Sequence, residues 1–149
     1  MIRCATLPLI LVACTVTACQ SGGGAPIVFA PQLGVDLSQM TAADGVHYRD
    51  LAVGDGAQVR NGGRVRVYYV GWLSDGTPFD STRPPEAPIE FVVGEGRVIR
   101  GWERGITGMR VGGRRQLVVP PSMGYGNRGV ASVPPRSTLV FTIEVVDAR

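Results

Sequence analysis

Glycine and proline deny this chain long helices. Its 149 residues include 21 Gly and 11 Pro. In a helix interior each Gly costs about 1 kcal/mol relative to Ala, and each Pro about 3 kcal/mol. No extended helical periodicity survives between them, so turn-rich β structure is expected. The one helical signal is "VIRGWERGI", residues 98–106, where Val98, Ile99, Trp102 and Ile106 keep the spacing of a single apolar face. Gly101 and Gly105 flank the indole. Either the tryptophan plugs a core helix, or the glycines clear space for it to floor a pocket.

The remaining apolar residues alternate. "RVRVYYVGWL", residues 64–73, puts Val65, Val67 and Tyr69 on one face and Arg64, Arg66 and Tyr68 on the other. "TLVFTIEVVDA" closes the chain with Leu139, Phe141, Ile143 and Val145 on one face. "GVHYRDLAVGDG", "IEFVV" and "RRQLVV" read as further strands, and Asp75-Gly76 is a turn pair. One short helix against an antiparallel sheet of about five strands is an α+β architecture. The length suits a single core.

The start of the chain reads as an export signal. "MIR" is a basic n-region, and "CATLPLILVACTV" is an apolar run too short to span a bilayer well. "VTAC" then ends at Cys19, a pattern resembling the bacterial lipoprotein box, in which the cysteine is acylated and becomes the mature N-terminus. "LVAC" at Cys14 also fits but leaves a signal of only thirteen residues, and an ordinary secretory signal is the other alternative. We therefore expect a lipoprotein signal over residues 1–18, a lipidated flexible tether over 19–42 and a folded domain over 43–149. The protein is expected to be exported and lipid-anchored to the cell envelope. All three cysteines, Cys4, Cys14 and Cys19, precede the domain, which therefore has no disulfide framework.

Net charge is +3, and every basic residue is arginine. Arg60, Arg64 and Arg66, with Arg110, Arg114 and Arg115, form the nearest approach to basic patches. Acidic residues intervene and no aromatic ladder accompanies them, so they read as a solvated sheet face and no nucleic-acid partner is expected. With one histidine, His47, and no domain cysteine, a zinc site or a Ser-His-Asp triad finds little support, and G-x-S-x-G is absent. "GYGNRG" matches G-x-G-x-x-G, but "PPSM" precedes it where a dinucleotide site needs a strand. What remains is a set of aromatic and apolar residues near strand ends and the short helix: Tyr69, Phe79, Ile99, Trp102, Tyr125 and Phe141, with Asp80 beside them. They form either an apolar cup rimmed by phenols and a carboxylate, or simply the core of a small barrel. Spacing leaves both open.

Three longer segments resemble one family. "YYVGWLSDGTPFDSTR", "VIRGWERGITGMRVGGRRQLVVPPSMGYG" and "VPPRSTLVFTIEVVD" are similar, in order and spacing, to the signature segments of the FKBP-type peptidyl-prolyl cis-trans isomerases, the immunophilins that bind tacrolimus and rapamycin. The resemblance implies a five-stranded antiparallel half-barrel wrapped around one short helix. It places Tyr69, Phe79 and Phe141 on aromatic pocket walls, Trp102 on the floor, and Ile89, Val98, Ile99 and Val133 along the lining. It assigns hydrogen-bond donation to the Ile99 N–H and the Tyr125 phenol, and a polar rim to Asp80. Proline-containing polypeptides are the implied clients, with no metal or cofactor. Macrolide binding is expected to be weakened, because Ile89 stands where well-known members have phenylalanine and Pro85 where they often have arginine. A monomer is expected. The alternative is a proline-peptide binding module or holdase without catalysis.

Overall fold

The two most regular alternations in the sequence become the longest strands and pair at the middle of one sheet. In the computed structural model, which describes residues 27–149, these strands are β3 (Arg64–Leu73) and β7 (Leu139–Ala148). The other strands are β1 (Thr41–Ala43), β2 (Val46–Ala52), β4 (Pro78–Thr82), β5 (Ile89–Val92) and β6 (Arg114–Val119). Their order is β1-β2-β6-β7-β3-β4, and all pairings are antiparallel. β5 also pairs with β3: β4 takes Tyr69 to Trp72 and β5 takes Arg64 to Val67. The two short strands thus share one place in the sheet, which leaves the five expected positions plus the three-residue β1.

The inner face carries the core. Val65, Val67, Leu117, Val119, Leu139, Phe141, Ile143 and Val145 are buried there, and Trp102 and Ile106 enter from α1 (Arg100–Ile106), the one α-helix among the described residues. α1 is shorter than its apolar spacing predicted. Ile99 caps it in extended conformation (φ −61°, ψ 149°), so Val98 and Ile99 reach the apolar cluster from the approaching loop. The two helix glycines also have another reason. A Cβ on Gly101 would lie 2.4 Å from a Val119 methyl, and one on Gly105 would lie 2.5 Å from a Leu117 methyl. They let α1 seat directly on β6. The space they clear is for the sheet, and the indole benefits only through that contact.

Arg115 corrects the reading of the two arginine patches as a solvated sheet face. It is 6% exposed, donates to both Asp50 oxygens at 2.6 and 3.0 Å, and donates to the Gly105 carbonyl at 2.8 Å. Its guanidinium also lies 4.1 Å from the Tyr48 ring centre. One buried cation therefore ties β6 to β2 and satisfies an orphan carbonyl at the end of α1.

The expected tether shortens as well. Its described part, residues 27–42, carries two 3₁₀ turns (Pro31–Leu33 and Leu37–Gln39) and runs into β1. Leu33 is buried against Val118 and Val140, with Phe29, Val35, Met40 and Trp72 packed around them. The Ala30 N–H donates to the Ser74 carbonyl at 2.8 Å, and Gln116 donates to the Leu33 carbonyl at 2.7 Å. This arm covers the part of the outer face around Val118, Val140 and Trp72. The proposed signal and Cys19 lie outside the described residues.

Candidate active site

Four strands, one helix and two connecting segments deliver side chains to one open cavity of about 310 Å³. β3 supplies Tyr69; β4 supplies Phe79 and Asp80; β5 supplies Ile89; and β7 supplies Phe141. The β5–α1 loop gives Arg97, Val98 and Ile99, α1 gives Trp102, and Tyr125 follows the 3₁₀ turn Pro121–Met123. Alternation along β3 and β7 explains why Tyr69 and Phe141 share the inner face.

Trp102 is the hub. It is 4% exposed, and Tyr69 and Phe141 stand edge-on to it, with ring centres at 4.8 and 5.3 Å and interplanar angles of 79° and 87°. Phe79 meets Phe141 at 5.6 Å and 83°. These are favourable T-shaped contacts that hold the rings in fixed orientations. Buried Phe91 packs on the indole from 6.0 Å without lining the cavity.

Gly71 makes this arrangement possible and escaped the sequence reading. A Cβ there would fall 2.8 Å from both the Phe141 and the Phe79 rings, and the β3–β4 register shifts beside it. An isolated glycine in an alternating strand is itself a signal of close approach. Arg97 was missed too, because a charged residue in a glycine-rich loop looks merely solvated.

The polar atoms divide into engaged and free. The Tyr69 hydroxyl donates to Asp80 at 2.5 Å. The Ile99 N–H has no acceptor among the described residues. The Tyr125 hydroxyl has none among them either. Burial pushes both phenols above the ordinary tyrosine range, and the Asp80 carboxylate adds to the shift, through a hydrogen bond at Tyr69 and through its charge alone at Tyr125. Both therefore remain neutral donors at physiological pH. The loop that presents Ile99 is braced by Glu103, whose carboxylate accepts the N–H groups of Gly94 and Gly96 at 3.2 and 2.8 Å.

Of the residues singled out from sequence, Tyr69, Phe79, Asp80, Ile89, Val98, Ile99, Trp102, Tyr125 and Phe141 all line this cavity. Val133 does not. It is 5% exposed and belongs to the core, because a bridge to Val130 turns it inward.

A family model described as FKBP-type peptidyl-prolyl cis-trans isomerase matches residues 56–146. FK506-binding protein 4 of Neurospora crassa is 40% identical over 112 residues, covering 75% of this chain and 24% of the relative. The chain thus spans about a quarter of that fungal protein's length. The peptidyl-prolyl cis-trans isomerase Fkbp12 of Drosophila melanogaster is 45% identical over 104 residues, covering 68% of this chain and 96% of the relative. Among solved structures, FkpA from Escherichia coli superposes with a TM-score of 0.68 at 35% identity, over 74% of this chain and 52% of that one.

Proposed function

The chain belongs to the FKBP-type peptidyl-prolyl cis-trans isomerase family, and from that premise we propose that its cup accelerates rotation about Xaa-Pro bonds. The observation that carries this reading is the pair of free donors, the Ile99 N–H and the Tyr125 hydroxyl, beside an indole floor with aromatic walls. Such a cup can take a proline ring and hold the neighbouring carbonyls.

The chemistry follows from the amide. Rotation costs about 18–20 kcal/mol because resonance is lost on twisting, and an unaided Xaa-Pro bond takes tens to hundreds of seconds. The planar amide is the more dipolar form, so water favours it over the twisted transition state. Trp102, Tyr69, Phe79 and Phe141 replace that water with apolar surface. The donors then act where the twisted bond needs them. Only interactions stronger in the twisted state raise turnover; gripping the ring equally in both states improves binding alone. A thousandfold acceleration requires about 4 kcal/mol, within reach of desolvation and two aimed donors. Asp80 holds the Tyr69 phenol in place and gives the rim its negative charge.

The clients we propose are proline-containing polypeptides folding in the cell envelope, with the domain exported and lipid-anchored at Cys19. Tacrolimus and rapamycin should bind, more weakly than to members with a phenylalanine at the Ile89 position. The deciding experiment is a proline-isomerisation assay with the purified protein on Xaa-Pro peptides. Acceleration inhibited by tacrolimus is expected. Peptide binding with no acceleration would instead make the cup a binding module.

A further inference from the structure

Two charged side chains line the cup, and they differ in how they are engaged. Asp80 accepts the Tyr69 phenol at 2.5 Å. Arg97 is 75% exposed at the mouth, and its closest ionic partner is Glu95, 3.5 Å from Nε, too far for a strong hydrogen bond. Its two terminal nitrogens have no acceptor among the described residues. The backbone beneath it is fixed: Glu103 ties Gly94 and Gly96, at φ 95° and 73°, to the helix. A planar fork of free donors on a braced loop is suited to a carboxylate.

We propose that Arg97 is a specificity-determining residue: among charged client segments, it selects those carrying Asp or Glu beside the proline. This rests on the cup being the site that takes proline peptides. Arg83, Arg100 and Arg128, other cations within three residues of a cavity-lining residue, do not themselves line the cavity. Glu95 and Asp80 oppose the effect, so the preference is that of an exposed ion pair, about two- to fivefold. It should fade in about 1 M salt, where the screening length is about 3 Å.

The test uses two peptide sets with Glu, Gln or Lys placed either before or after the proline, assayed with wild type, R97Q and R97E. In one set the Glu-to-Lys ratio of kcat/KM should be two- to fivefold for wild type, near one for R97Q and below one for R97E. The inversion in R97E is the decisive result, because damaged folding lowers rates without reversing a ratio. A ratio unchanged across the three proteins in both sets would overturn the proposal. If wild type accelerates no peptide, the isomerase reading fails by itself. The same peptides, titrated by tryptophan fluorescence, then judge Arg97 by their Kd ratios under the same criterion.

Discussion

Two phenols line one cup, and their hydrogen bonds separate their roles. Tyr69 is committed to Asp80, whereas Tyr125 has an idle hydroxyl. Tyr125→Phe should therefore lower kcat/KM by about two- to tenfold, the worth of one neutral hydrogen bond, and leave Tm almost unchanged because the fold loses no bond. Unaltered kcat/KM would remove this phenol from the reaction. Both phenols are also raised above their unfolded value near 10. The folded state thus holds these protons more tightly than the unfolded chain does. Their contribution to stability is complete below about pH 10 and is lost as pH climbs through the folded values. Activity should be flat from about pH 6 to 9, and thermal melts should fall only above about pH 10. A pH–rate profile with an inflection near neutrality would show that another group titrates in the reaction. At this scale the sequence was legible for Tyr69 and Phe141, whose type and strand parity both pointed to one face. It was illegible for Val133, where a local bridge to Val130 overrides an apolar residue's apparent place in a pocket loop.

At the scale of elements, the contact between α1 and β6 sets the floor of the cup. Gly101 faces Val119 so closely that a methyl group cannot be added without moving one of them. Val119 is β-branched and fully buried, so it has little rotamer freedom with which to yield. Gly101→Ala gains about 1 kcal/mol of helix propensity but should incur about 1–3 kcal/mol of overpacking. The expected outcome is a lower Tm together with lower activity, since α1 carries Trp102. A variant more stable than wild type would mean that the helix can lift off β6 at no cost. The elements themselves were readable, because apolar residues recur at every second position over most of β3 and β7 and Asp75-Gly76 marks the turn between β3 and β4. Parity also put Arg115 on the same face as Leu117 and Val119; only its charge argued for solvent. What local pattern could not supply was the partner: Asp50 and the Gly105 carbonyl come from elsewhere in the chain. Gly71 is similar, since its meaning depends on two phenyl rings brought in by β4 and β7.

Across the whole molecule, the arm and the cup lie on opposite faces of the sheet. Tyr69, Phe141 and Trp102 belong to the inner side, while Leu33, Val118, Val140 and Trp72 pack on the outer. A chain held to a membrane through residues before the arm would thus be gripped from behind, leaving the cup free to meet clients. Cys19→Ala should move the protein from the membrane to the soluble fraction, because stable attachment needs at least two acyl chains. Cys14→Ala should not, and the reverse result would reassign the anchor. The arm was illegible because residues 20–42 taken together have the composition of a linker, although Leu33, with Phe29, Val35 and Met40 around it, seats the described part. That leucine gives the sharpest test of the arm's part in the fold. Val140 is fully buried and Val118 is 4% exposed where the arm and Trp72 pack over them. Leu33→Ala should cost about 2–3 kcal/mol, at the low end for a buried leucine because the site borders solvent. Its kcat/KM should match wild type at temperatures where it stays folded, since no arm residue lines the cup. Chemical denaturation of the variant beside wild type measures the first effect, and the peptide assay measures the second. If stability is unchanged, the arm is a bystander. If activity falls while the protein remains folded, the two faces of the sheet are coupled, and the arm reaches the site through β3 and β7.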